Sequence, residues 1–289
     1  MEALADLVPA FRGRDRTVTP LGGGLTNRNY RVDVGEESYV LRIAGAGTEL
    51  LGIDREREVA CARAAAAAGV GPEVIAHLPE HRLTVTRFVR GKQLTAEDVR
   101  RPEVLRRLAR TLRSVHDAPL PDGLGAFNVF AVIRTYHEQA RERGVPLPGE
   151  LGPALELLSR LEKELHTAEP PCLCHNDLLP ANFIDDGTAI RIIDWEYGGL
   201  GDRFFDLGNF AVNHQLDEAQ EVLFLGAYHG EAHPEHLRRL RRMRLVSDMR
   251  EATWGFLQAG VSQLESPEYY TDYGRRHLDR FRAAAAKWV

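Results

Sequence analysis

The apolar positions of this chain change their period near residue 90. Before that point they alternate. Thr17–Leu21 is a short strand candidate that runs into Gly22-Gly23-Gly24, a turn or flexible loop. Residues 29–34 and 38–43 alternate apolar with polar and are β-branched or aromatic, and Gly35-Glu36-Glu37 between them predicts a hairpin. One helix interrupts this pattern, from about 54 to 68, closed by Gly69 and the breaker pair Gly71-Pro72. Residues 74–77 and 82–88 predict two more strands. Beyond Gly91, Val104, Leu105, Leu108, Leu112 and Val115 recur at helical spacing and predict a helix ending near His116. Residues 129–143 and 151–165 read as helices, as does the chain from Phe205 onward, with long segments at 235–264 and 269–288. The exception is 172–194, where short apolar runs at 182–184 and 189–193 flank a turn at Asp185-Asp186-Gly187. The pattern predicts an α+β protein in two lobes, a small β-rich one over 1–88 and a larger, mainly helical one over 89–289.

Composition narrows the function classes. The 289 residues are 44% apolar and 27% charged, enough to bury a large core without disulfide or metal staples. The net charge of −5 sets duplex-DNA binding at a disadvantage. No run approaches a membrane span, Glu2 and Asp6 stand where a signal peptide carries positive charge, and the cysteines (Cys61, Cys172, Cys174) are sparse and odd in number. A cytoplasmic protein is expected. Lys92, Lys163 and Lys287 are the only lysines, so any fixed positive charge before residue 92 is arginine.

The most informative stretch is Cys174-His175-Asn176-Asp177-Leu178-Leu179-Pro180-Ala181-Asn182, followed by Ile192-Ile193-Asp194-Trp195-Glu196. Phosphoryl transfer from a nucleotide needs a carboxylate to orient the attacking hydroxyl and take its proton. It also needs hard oxygen ligands to hold Mg²⁺ against the phosphates. Asp177 fits the base, and Asn182 and Asp194 fit the metal ligands. Asp and Asn also serve as turn residues, but turns alone rarely produce this joint set. The glycines 22–24 with Thr26 and Asn27 lie between predicted strands, where backbone N–H groups can cradle phosphate; a plain β-turn is the alternative.

The spacing H-x-D-x-x-x-x-N resembles the catalytic loop of protein kinases. The wider text CHNDLLPANF…IIDWEYGG resembles the choline/ethanolamine kinase branch of the aminoglycoside-phosphotransferase-like superfamily. LGGGLTNRNYRV, YVLRI, IDRERE and REATWGFLQAG follow the order that family uses, over about 20–280. The resemblance implies a protein-kinase-like two-lobed fold, ATP and Mg²⁺ as cofactors, and a hydroxyl acceptor. It implies a cation on the third strand, and Arg42 is the only basic residue inside that strand. It places the partner carboxylate at Glu58, with Glu56 as the alternative register and a solvated helix face as the plain one. Residues 86–90 would carry the adenine, and His175 would brace the loop.

For the acceptor, the resemblance matches Trp254 and Tyr273, in the Tyr269-Tyr270-Tyr273 segment, to aromatic residues around a quaternary ammonium. Where the eukaryotic enzymes of that family place a second aromatic, this chain has Glu251, which suits a primary or secondary amine. Asp202 is a further acidic candidate, while Asp206 is expected to cap or brace a helix. Core packing is the alternative for Trp254, which shares helical spacing with Leu257 and Val261. The run HLRRLRRMR at 236–244 has a buried apolar side, so its arginines are expected to form a solvated face. Cys172-x-Cys174 reads as buried thiols, because its spacing suits zinc poorly. The expected substrate is a small amino-alcohol or amine-bearing molecule, with no nucleic acid and no membrane span. An aminoglycoside or thiamine kinase and a nucleotide-binding pseudokinase are the rival readings; oligomeric state is not legible.

Overall fold

The computed structural model describes residues 2–22, 27–45, 48–121, 123–166 and 169–288. The chain opens on one helical turn, α1 (Glu2–Ala5), and then builds an antiparallel sheet. Its strands are β1 (Thr17–Leu21), β2 (Asn27–Val34), β3 (Glu37–Ala44), β4 (Val74–Leu78) and β5 (Leu83–Arg87), in spatial order β1-β2-β3-β5-β4. The hairpin between β2 and β3 closes tightly, with Val34 opposite Glu37 and Gly35 at φ +62°, a value that glycine adopts at no steric cost.

Strand alternation sorts the two faces. Val32, Val34, Tyr39, Leu41, Leu83 and Val85 point to one side, where Ala5, Val8 and Phe11 cover them. Asn29, Val40, Arg42, Thr84 and Thr86 point to the other and line a cleft. Between β3 and β4 runs α2 (Arg55–Ala67), capped by Asp54, whose carboxylate accepts from Glu56 N at 3.0 Å and Arg57 N at 3.1 Å. This helix buries Cys61, Ala64 and Ala65 in the same apolar cluster as the later helices.

The linker after β5 leads to β6 (Lys92–Gln93), and a Cβ at Gly91 would collide with the carbonyl oxygen of Asp185. Four helices follow: α3 (Ala96–Arg100), α4 (Pro102–His116), α5 (Val129–Glu142) and α6 (Leu151–Leu165). Then come β7 (Cys172–Cys174), β8 (Phe183–Asp185), β9 (Ile190–Ile192) and β10 (Gly199–Gly201), forming two small sheets, β6-β8-β9 and β10-β7. The chain ends in α7 (Arg203–Asn213), α8 (Glu218–His229), α9 (Pro234–Val261) and α10 (Pro267–Trp288). Among the described residues no helix is long and apolar enough to cross a membrane.

Four of the five arginines of 236–244 depart from expectation, while Arg238 is solvated as expected and pairs with Glu235 of its own helix. Arg239 pairs with Asp202 at 2.5 Å, Arg241 and Arg244 with Glu221, and Arg242 with Glu164 at 3.0 Å. They clip α9 to α6, α7 and α8 rather than forming a solvated face, because carboxylates on those helices meet them across each crossing.

Candidate active site

The loop after β7 is fixed from both sides. Asp206 on α7 is fully buried and accepts from His175 N and Asn176 N, both at 2.7 Å. His116 at the end of α4 reaches the same carboxylate at 3.1 Å. His175 Nδ1 accepts from Asp177 N at 3.2 Å, which leaves the ring proton on Nε2, 2.9 Å from Ile193 O. Asn176 takes φ +66°, a conformation Asn tolerates better than most residues, and its amide donates to Tyr197 O at 2.9 Å. These bonds hold Asp177 in place. Its side chain is 17% exposed. Burial raises its pKa and Glu251 adds to the rise, while Arg250 opposes both.

Strand pairing brings the second part alongside. Phe183 of β8 faces Ile192 of β9, so Asn182 before β8 and Asp194 after β9 end together. Ile193 N donates to Asn182 O, and Asn182 Nδ2 to Asp177 O, at 3.0 and 2.9 Å. Asp194 sits at φ +67°; Oδ1 is buried without a hydrogen bond, although Arg42 Nη2 lies 2.9 Å away. That contact is a close ion pair whose geometry is not a hydrogen bond. A buried carboxylate oxygen short of donors, beside an amide side chain, fits a hard divalent cation such as Mg²⁺.

The third part comes from the large sheet. Arg42 on β3 donates to Glu58 Oε1 at 2.5 Å; Arg55 holds the other oxygen at 2.6 Å. Burial alone would lower the Arg42 pKa, but Asp194, Glu58 and Glu196 together raise it. Arg55 also lies 3.4 Å from Glu196, to which Asn27 donates at 3.1 Å. Burial, with Asp194 nearby, pushes the Glu196 carboxyl up to about 7. Arg42, Glu58 and Asp194 line a cleft of about 340 Å³, whose walls include Gly22, Val40, Phe88, Ile184 and Ile193. Thr86 and Arg87 at the end of β5, with Phe88 and Val89 of the linker, border it. Gly23, Gly24 and Thr26 lie outside the described residues.

On the helical side, Tyr273 OH donates to Glu251 Oε2 at 2.7 Å, and Arg250 bonds Glu251 Oε1. Trp254 is half-buried, with its ring 5.5 Å from that of Tyr273 and Nε1 donating to Tyr197 OH at 3.2 Å. It touches the core and the Glu251 group at once. Burial raises the Tyr273 pKa; Glu251, despite burial, is held low by Arg250.

Asp202 is not part of this group. It caps α7 by accepting from Phe204 N at 2.9 Å, and its other oxygen takes Arg239. It borders a separate cleft of about 280 Å³ that contains none of Asp177, Asn182 and Asp194. The sequence reading assigned Asp202 to substrate and a capping or bracing role to Asp206. The structure gives capping to Asp202, and Asp206 braces the catalytic loop. Cys61, Cys172 and Cys174 are buried free thiols. His116 converges on the last two, yet both its ring nitrogens are already engaged, by Asp206 and by Tyr228 OH at 2.6 Å.

Sequence reasoning missed Arg250, Arg55 and Glu196. The signals were an Arg-Glu pair beginning four residues before Trp254 in a long helix and the carboxylate two residues after Asp194. Neither indicates by itself which loop it will face.

A model of the phosphotransferase enzyme family matches residues 17–245. The chain is 26% identical over 284 residues to a probable ethanolamine kinase of Arabidopsis thaliana, covering 86% of this chain and 75% of the relative. Its structure is similar to that of a choline/ethanolamine kinase family protein from Mesorhizobium loti, with TM-score 0.83 and 30% identity over 98% of this chain and 92% of that one. The choline kinase LicA from Streptococcus pneumoniae shares the fold, with TM-score 0.81 and 22% identity over 99% of each chain.

Proposed function

The chain belongs to the phosphotransferase enzyme family and to its choline/ethanolamine kinase branch, and from that premise we propose its acceptor and the parts its residues play. It is an ATP-dependent kinase that phosphorylates a hydroxyl. The acceptor we propose is an amino-alcohol carrying a primary or secondary amine. The observation that carries this is Glu251, a buried carboxylate hydrogen-bonded to Tyr273 beside the Trp254 ring, in reach of Asp177 through one intervening guanidinium. An amine N–H can bond a carboxylate directly, whereas a quaternary ammonium relies on aromatic faces.

Asp177 orients the acceptor hydroxyl and takes its proton; a pKa raised by burial improves it as a base near neutral pH. Asn182 and Asp194 hold Mg²⁺, whose charge offsets that of the nucleotide phosphates. Arg42, fixed by Glu58, offers its guanidinium to the phosphate oxygens. We assign residues 1–88 to nucleotide binding, with Gly22, Gly23, Gly24, Thr26 and Asn27 as the phosphate loop, and 89–289 to catalysis and the acceptor.

The test is ATP consumption with Mg²⁺ against ethanolamine and its methylated forms, choline, thiamine and several aminoglycosides. Turnover is expected to depend on the acceptor and to be best with primary or secondary amines. Asp177→Ala is expected to lose about 10²–10⁴-fold in rate. Full turnover in that variant removes the base assignment, and stimulation by aminoglycosides alone replaces the acceptor.

A further inference from the structure

Arg250 lies on the buried second half of α9 and its side chain is 2% exposed. Its Nη1 serves two carboxylates, Asp177 Oδ1 at 3.1 Å and Glu251 Oε1. The guanidinium carbon stands 4.4 Å from the centroid of the Tyr197 ring. Nε and Nη2 are buried and make no hydrogen bond among the described residues. Such a group is a poor device for stability. A buried cation with unpaired N–H groups costs desolvation that packing does not return, and an apolar side chain of similar volume serves a helix interior better.

Its geometry has a different use. The guanidinium takes one oxygen of Asp177. Among the described residues no side-chain donor reaches the other oxygen, Oδ2. The carboxylate is therefore held by one edge, with the opposite edge left for an acceptor hydroxyl. Glu251 and the Tyr197 ring in turn hold the guanidinium from two further directions, so its position does not depend on Asp177 alone.

We propose that Arg250 is a positioning residue for phosphoryl transfer: it pins Asp177 through Oδ1 so that Oδ2 faces the acceptor, and it ties that alignment to the Glu251 side of the acceptor pocket. The proposal rests on the reading of Asp177 as the base. Arg250 touches neither nucleotide nor acceptor in this role, so its loss lowers kcat and leaves nucleotide binding unchanged.

The test is a double-mutant cycle on the full chain, with Asp177→Asn, Arg250→Met and both together. ATP affinity by calorimetry and thermal unfolding would confirm that each variant is folded. Arg250→Met is expected to lower kcat on the order of 10²-fold, the scale of an ångström-level misplacement of a reacting group, with ATP affinity unchanged. The double variant is expected to be no slower than Asp177→Asn alone, because a residue acting through Asp177 has nothing left to position. Arg250→Lys keeps the charge but loses the planar fork and is expected to recover only part of the rate. If Arg250→Met does not fold, Arg250→Lys in the same two backgrounds supplies the same comparison. Losses that multiply in the double variant overturn the proposal, as does a loss confined to acceptor KM. An Asp177→Asn protein at full rate overturns the base assignment and the proposal together. Multiplying losses with Asp177→Asn crippled overturn the proposal alone.

Discussion

At the scale of single residues, the site is a set of carboxylates sorted by the cations beside them. Glu58, Glu196, Asp194 and Asp177 would repel one another without Arg42, Arg55 and Arg250 between them. Glu58 has no other evident task than to hold Arg42 and Arg55. Glu58→Ala is therefore expected to weaken ATP binding by roughly tenfold to a hundredfold, from the ~1.5–3 kcal/mol of a charge-assisted hydrogen bond. Calorimetric titration of the variant checks this, and unchanged affinity would remove Arg42 from the phosphate site. Asp202, expected at the substrate but found as the cap of α7, shows how small a shift misleads a sequence reading. The helix was expected to begin near Phe205, but α7 begins at Arg203. Those two residues make Asp202 the cap and move Asp206 into the first turn, facing the loop. Arg250 and Glu251 were a different case. Glu251 stood out through its alignment with Trp254, whereas only the folded loop after β7 shows that Arg250 meets Asp177.

Among the elements, α9 does two jobs along its 28 residues. Its first half is clipped to neighbouring helices by arginines, and its second half carries Arg250, Glu251 and Trp254 into the site. The second half reaches α10 through paired glycines. A Cβ on Gly255 would lie 2.8 Å from Gly274 N and 2.9 Å from Tyr270 O. Gly255→Ala is expected to destabilise by about 1–3 kcal/mol through overpacking and to raise acceptor KM, because α10 carries Tyr273. Gly152 on α6 has open space at the same position, and Gly152→Ala is expected to leave KM unchanged. Melting temperature and acceptor KM for both variants check the contrast; equal effects would mean that the helix crossing does not set the pocket. The long elements were legible because each offers several turns of a period. The strands β6 (Lys-Gln) and β10 (Gly-Leu-Gly) were not, since they offer neither a period nor a continuous apolar run.

At the scale of the whole molecule, the buried apolar side chains among the described residues form two clusters, one behind the large sheet and one through the helices, with α2 joined to the second. The second encloses His214, fully buried between Phe210 and Phe183, and burial lowers its pKa to about 3. The folded state keeps this ring neutral while the unfolded chain protonates it below about 6.5, so its contribution is present above that pH and is lost as pH falls toward 3. Stability is expected to fall on acidification, with this group contributing up to ~1.4 kcal/mol per pH unit, and His214→Phe is expected to reduce that slope. Urea unfolding at pH 7 and pH 5 checks it; an identical slope in the variant would mean that the ring is not held neutral. The sequence by itself determined the chemistry and the broad architecture. Its strand and helix periods are local, and Asp177, Asn182 and Asp194 are close enough in the chain for their spacing to carry meaning. Only the tertiary structure decided which distant charges meet them. The resemblance had already set Arg42 beside Glu58, whereas the contacts of Arg55, Arg250 and Glu251 come from elements packed across the cleft or along α9, and burial there, which no local pattern encodes, sets the pKa values of the groups they hold.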